Sequence, residues 1–120
     1  MDKGEIILYR PQGDDVTIDV IVENETVWLT QAQMAELFET TKQNVGQHIR
    51  NAFNDGEIVR EVVVKKFFTT TQHGAMPDKI QTHMVEHYNL DVIISVGSRV
   101  KSLRGVQFRR WATQDRKSVV

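Results

Sequence analysis

Short stretches of alternating apolar and polar residues occupy the first quarter of the chain. Residues 6–10 form one β-rich run, which a proline and a glycine bring to an end. Residues 16–22 alternate regularly and put four aliphatic side chains on one face, as in a half-buried strand. A turn of acidic and amide residues follows, and residues 26–29 begin a returning strand. This pattern predicts a small antiparallel unit over residues 5–29.

The apolar spacing becomes helical at Thr30, which opens a capping box with Gln33. A threonine at position 40 or 41 can cap a second helix, whose apolar positions start at Val45 and end before the Asn-Asp-Gly sequence at residues 54–56. Ala35 lies where the two helices would cross. We interpret residues 29–54 as a helix-turn-helix, although the turn position that is often glycine is Glu39. An αα-hairpin that binds nothing is the structural alternative.

Beyond Gly56 the pattern is mixed. Residues 58–68 read as a strand because they are rich in Val and Phe, and residues 79–88 read as its partner in a β-hairpin over 58–88. Residues 89–113 are too densely apolar for an exposed strand and predict two helices, the first capped by Asn89 and the second with Val106, Phe108 and Trp111 inward. The predicted fold class is α+β, a helix-turn-helix with flanking antiparallel hairpins, winged-helix-like, and two C-terminal helices.

The outward face of the second helix carries amide and basic side chains and no acid. Such side chains bond base edges and phosphates in the major groove of DNA. Gly46 lies among them and would let the helix approach the duplex closely. The candidate DNA-binding residues of this face are Thr41, Lys42, Gln43, Asn44, Gln47 and Arg50.

Charge is sorted along the chain although the net charge is only −1. Residues 1–39 carry nine acids against two bases, and residues 40–120 carry thirteen bases against seven acids. The excess is densest after residue 98, where basic side chains would attract phosphate. A solvated helix face is the alternative interpretation. The candidate phosphate contacts are Arg99, Lys101, Arg104, Arg109 and Arg110.

A length of 120 residues predicts a single domain, which we place at residues 1–113, followed by a frayed tail at 114–120. The absence of cysteine excludes disulfides and thiolate metal sites. The N-terminus lacks the features of a signal peptide, and no apolar run is long enough to span a membrane. We therefore expect a cytoplasmic protein.

Residues 83–87 resemble a zinc peptidase signature. His83, Glu86 and His87 fit the pattern H-x-x-E-H, in which two histidines one helical turn apart bind zinc. Along a strand, however, the two histidines would lie about 13 Å apart, too far to share one ion. No phosphate-binding loop is present either. We expect neither enzymatic activity nor a metal or other cofactor.

The segment from Tyr88 to Thr113 carries a long ordered string of specific residues. It includes Tyr-Asn-Leu-Asp-Val-Ile-Ile-Ser-Val-Gly at 88–97 and Arg-Gly-Val-Gln-Phe-Arg at 104–109. In these residues, and in 30–58, the chain strongly resembles the RhuM family of bacterial virulence-associated proteins. The resemblance implies a DNA-binding protein, and the family pattern continues past Thr113, so the chain resembles the N-terminal domain of a longer protein.

The function we expect is binding of double-stranded DNA through the helix-turn-helix. The expected context is regulatory or defence-associated, such as that of a transcription regulator. No membrane and no small-molecule substrate is expected as a partner, and a homodimer is left open. The alternative is a protein–protein interaction module, which would dock an acidic partner or the C-terminal region that the family pattern adds.

Overall fold

A five-stranded antiparallel sheet is the frame of the molecule in the computed structural model, which describes residues 5–11, 17–72 and 80–114. Its strands are β1 (Glu5–Tyr9), β2 (Ile18–Glu23), β3 (Thr26–Leu29), β4 (Val64–Gln72) and β5 (Ile80–Asn89). Their order across the sheet is β1-β2-β3-β5-β4. The predicted antiparallel unit at the N-terminus is confirmed, although Val16 and the predicted tail after residue 114 lie outside the described residues.

Between β3 and β4 the chain forms the predicted helix pair, α1 (Gln31–Leu37) and α2 (Lys42–Asn54). The capping box at Thr30 is present, since its hydroxyl accepts from the Gln33 amide and the Gln33 side chain accepts from the Thr30 amide. Thr41 caps α2 by accepting from the amide of Asn44. Both helix starts therefore follow from side chains that lie next to them in sequence.

The turn between the two helices contains a residue in the left-handed backbone conformation, and this residue is not glycine. Glu39 has φ of 56°. Its amide donates to Glu36 O and the next amide, of Thr40, donates to Ala35 O, which together make a Schellman motif at the end of α1. The missing glycine therefore did not change the backbone of the turn, and Glu39 carries the steric cost.

The prediction of a strand over residues 58–68 is wrong at both ends. Residues 60–63 form a single helical turn, α3 (Arg60–Val63), and the strand begins only at Val64 and continues to Gln72. The turn redirects the chain after α2 and puts Val63 into the core with 3% of its surface exposed. The β preference of a valine-rich run depends on its surroundings, and here the run begins with a helical turn whose last residue is buried.

The two C-terminal helices are α4 (Leu90–Arg99) and α5 (Leu103–Gln114), the first capped by the Asn89 side chain as predicted. The core lies between the sheet and the helices, with α4 in contact with α2, α5, β3 and β5. Tyr9 of β1 packs its ring against Phe108 and Trp111 of α5. Val106, predicted to face inward, is 53% exposed, because the buried side of α5 consists of Phe108, Trp111 and Ala112.

The helices α4 and α5 cross at two glycines, and the helix pair is anchored to this crossing. The Cα atom of Gly105 would lie 3.4 Å from a Cβ placed on Gly97. The ring of Phe38, the last residue before the α1–α2 turn, would lie 3.1 Å from the same Cβ. Phe38 is 6% exposed, so its ring fills the space that the two missing side chains leave. The absence of side chains lets three elements meet at this point.

Candidate nucleic-acid interface

The helix α2 has two clearly different faces. Val45, Ile49 and Ala52 are buried against the core, with at most 4% of their surface exposed. The opposite face consists of amide and basic side chains, all exposed: Lys42, Gln43, Gln47 and Arg50. The structure therefore brings four of the predicted residues onto one surface, where a ligand can reach them.

Two other predicted residues hold the helix start rather than extend that surface. The Thr41 hydroxyl accepts from the Asn44 amide at 3.0 Å. The Asn44 side chain donates to the Thr40 hydroxyl at 2.8 Å and is partly buried. Both side chains therefore have structural partners at the N-terminus of α2.

Gly46 was predicted from the sequence to lie on the outward face of α2, but it is buried. It lies beneath α1, and a Cβ added there would meet the Gln31 side-chain nitrogen at 2.6 Å. Gln31 in turn donates to Lys42 O at 2.8 Å. The Gln31 side chain therefore covers Gly46, and its hydrogen bond to Lys42 O joins the start of α1 to α2.

Arg99 pairs with two carboxylates at the end of α4, with 26% of its side chain exposed. Its guanidinium donates to Asp55 at 3.0 Å and to Glu57 at 2.8 Å, and the Ser95 hydroxyl donates to Glu57 at 3.0 Å. These hydrogen bonds, first that of Arg99 and then that of Ser95, lower the pKa of Glu57. Arg99 thus joins α4 to the end of α2 through two carboxylates, which compete with any phosphate.

Arg104 is also engaged within the chain, at the end of α1. It donates to Leu37 O at 3.4 Å and pairs with Glu39 at 3.4 Å, with only 15% of its side chain exposed. A cation beside the last carbonyls of a helix is favourable, because those carbonyls lack partners within the helix. Arg104 therefore supports the α1–α2 turn from α5.

The other three predicted phosphate contacts are exposed. Lys101 follows α4 with φ of 55°, in a second Schellman motif whose amides donate to Ser98 O and Gly97 O. Arg109 and Arg110 lie on the outer side of α5. The basic run therefore contains two arginines that pair with groups of this chain, Arg99 and Arg104, and three exposed cations. The partners of the two paired arginines lie far away in sequence.

The hairpin of β4 and β5 adds a surface that the sequence analysis did not single out. Phe68 is 68% exposed and Met84, its partner across the two strands, is 53% exposed. One signal was available, since two consecutive phenylalanines on a strand must point to opposite faces. Phe67 is indeed buried, against Trp28 and His87.

The two histidines of the zinc-like motif both lie on β5, which confirms the predicted strand. Within residues 5–11, 17–72 and 80–114, no three His, Cys, Asp or Glu side chains are grouped so that they could hold a metal ion. His87 is buried, its Nδ1 lies 2.9 Å from Val85 O, and its ring meets that of Phe67 edge-on. It is part of a small aromatic cluster on the sheet.

Burial lowers the pKa of His87 from its usual 6.5, against a smaller opposite effect of the hydrogen bond with Val85. The unfolded chain therefore takes up the proton first as pH falls. The stability that neutral His87 contributes is complete above pH 6.5 and is lost as pH falls below it, toward the folded-state pKa. We expect H87F to flatten the pH dependence of urea unfolding in this range.

Three comparisons with known proteins complete this description. The family model described as Virulence protein RhuM family matches residues 62–120. No curated protein matches the chain, and no solved structure does. Of the helices that the structure describes, none has the length and apolar character needed to cross a membrane. The family match covers α4 and α5, whose residues carried the sequence resemblance, and confirms over residues 62–120 that the chain is similar to the RhuM family.

Proposed function

We propose that this chain binds double-stranded DNA, with α1 and α2 as a helix-turn-helix and the β4–β5 hairpin as a wing. The topology supports this proposal. The strand β3 enters the helix pair, the hairpin follows it, and β5 returns to pair with β3. This order of a strand, two helices and a hairpin is compatible with a winged-helix-like arrangement, and in a helix-turn-helix the second helix is the one that enters the major groove.

The observation that carries the proposal is the exposed face of α2. Gln43 and Gln47 are one helical turn apart, and glutamine can bond the N6 and N7 atoms of adenine together. Lys42 and Arg50 flank them and would neutralise phosphates on either side of the groove. None of these four side chains, Lys42, Gln43, Gln47 and Arg50, carries a negative charge that would repel DNA.

Backbone contacts beyond α2 would come from the exposed cations of the C-terminal helices. We assign this role to Lys101, Arg109 and Arg110. Arg99 and Arg104 are assigned to the fold, because both already pair with groups of this chain. Binding of this kind uses no enzymatic step and no cofactor.

Base reading by α2 can be tested by selecting preferred sequences from a random duplex library. We expect Q43A and Q47A each to change the preferred sequence and to cost about 1–3 kcal/mol on the wild-type site. Both side chains are exposed, so the melting temperature should stay the same. The control is Q114A, an exposed amide at the end of α5, which should select the wild-type site.

Fluorescence anisotropy with a random duplex tests the proposal as a whole. The affinity of wild type should fall steeply as salt rises, because each phosphate contact releases counterions. No measurable binding at low salt would overturn the proposed function.

A protein–protein interaction module is the second candidate, favoured by a groove between α4 and α5. The groove has a volume of about 440 Å³, with Ile94 and the exposed Leu103 and Val106 on its apolar side and Lys101 and Arg109 among its lining residues. An acidic, amphipathic segment would fit such a surface. This function would replace the first if duplex DNA failed to bind.

A further inference from the structure

An exposed apolar pair lies on the β4–β5 hairpin, and none of the helices within the described residues covers it. Phe68 and Met84 are direct partners across the two strands, with 68% and 53% of their surfaces exposed. Most strands that carry one solvent-facing side place polar residues there. Leaving a phenylalanine and a methionine together in water costs free energy, so a use for the pair is to be expected.

The same face of the hairpin leads directly to the start of α2. A cleft of about 380 Å³ lies between them, with Met84 and Glu86 on one side and Gln31 and Lys42 on the other. The apolar pair is therefore continuous with the basic end of the surface that we propose for DNA.

Charge around the pair favours a polyanion. Lys66 is exposed next to Phe68 on the same face, two residues along β4. Its strand partner Glu86 is neutralised by Arg60, whose guanidinium lies 2.6 Å from the carboxylate. An apolar pair flanked by Lys66 and Lys42 suits the sugars and bases between two phosphate backbones.

We propose that Phe68 and Met84 form an apolar wedge that enters the minor groove beside the site of α2 and partly unstacks one base step. Phenylalanine and methionine are among the side chains that act in this way. The inference rests on the proposed function, since the wedge needs a duplex held by α2. It goes further by giving the hairpin a preference for DNA that is easily deformed.

The preference can be measured with two labelled duplexes of one mixed sequence, fully paired or carrying a single central mismatch. A mismatched step is easier to unstack, so wild type should bind the mismatched duplex about tenfold more tightly. The variant F68S/M84S should bind both duplexes equally. Phosphate contacts are the same on both duplexes, so the ratio of affinities isolates the wedge. The control L103S removes a 72% exposed leucine from α5 and should keep the wild-type ratio.

Each other outcome would contradict the wedge, and the outcomes differ in whether they also contradict the proposed binding of DNA. Equal ratios for wild type and F68S/M84S, with steep salt dependence in both, would remove the wedge and leave the proposed function intact. Absence of binding by wild type to either duplex at low salt would remove both. If light scattering showed that F68S/M84S converts a dimer into a monomer while the ratio stays the same, the pair would be a contact between two copies of this chain.

Discussion

Replacing Gly97 by leucine should lower the free energy of unfolding by about 2 kcal/mol, although leucine is the better helix former. The first added carbon would already lie 3.1 Å from the Phe38 ring and 3.4 Å from the Gly105 backbone. The remaining carbons of leucine have no room, because Phe38 is packed between α4 and α5. Urea unfolding of G97L and wild type measures the difference.

A second substitution tests whether Phe38 is the cause. The atom nearest to the added carbon is Cζ at the tip of its ring, and F38L removes that tip. In the F38L background the penalty of G97L should therefore fall below about 1 kcal/mol, a non-additive result that only contacting residues give. The control is S98L on the exposed side of α4, expected within about 0.5 kcal/mol of wild type. An equal penalty for G97L with and without Phe38 would contradict the packing described at the crossing.

The helix starts were predictable because their causes are local. Thr30, Thr41 and Asn89 each cap a helix by accepting from an amide three residues later. Such a contact needs no information about the rest of the chain. The α+β fold class and the two hairpins followed from periodicity in the same way.

The wrong predictions concern local structure and the orientation of side chains, mostly where the contacting residues are distant in sequence. Residues 58–68 have the composition of a strand, but residues 60–63 form a helical turn whose last residue, Val63, is buried in the core. Gly46 has the spacing of an outward residue, but Gln31, fifteen positions earlier in the sequence, lies over it. Val106 was predicted inward together with Phe108 and Trp111, but residues two apart on a helix lie on different faces, and Phe108 and Trp111 are the ones that meet Tyr9. The contacts of Val63 and Gly46 leave no trace in local spacing, whereas the error at Val106 could have been avoided from it.

The candidate site was predictable for α2 and only partly so for the basic run. The face of α2 follows from the 3.6-residue period, and Gln43, Gln47 and Arg50 are exposed as that period requires. The arginines of the run look alike in sequence. Arg99 meets Glu57, and Arg104 meets Leu37, only because the fold brings α4 and α5 back to the helix pair.

This division of the arginines predicts two opposite effects. The pair R109A/R110A should weaken binding to every duplex and flatten the slope of log affinity against log salt by about 1.8, because two phosphate contacts are lost at roughly 0.9 each. Its stability should match wild type, since both side chains are exposed. Sequence preference should survive, because Gln43 and Gln47 are untouched.

The variant R104A should lower stability and leave the salt dependence of DNA binding unchanged. Its guanidinium lies 3.4 Å from both Leu37 O and Glu39, with 15% of the side chain exposed, so its loss should cost about 1 kcal/mol of stability. The slope against salt should equal that of wild type, because Arg104 is assigned no phosphate. Anisotropy titrations at several salt concentrations, run beside urea unfolding of the same samples, measure both quantities. A flattened slope for R104A with unchanged stability would return Arg104 to the DNA surface, while an unchanged slope for R109A/R110A would assign the outer side of α5 to a protein partner.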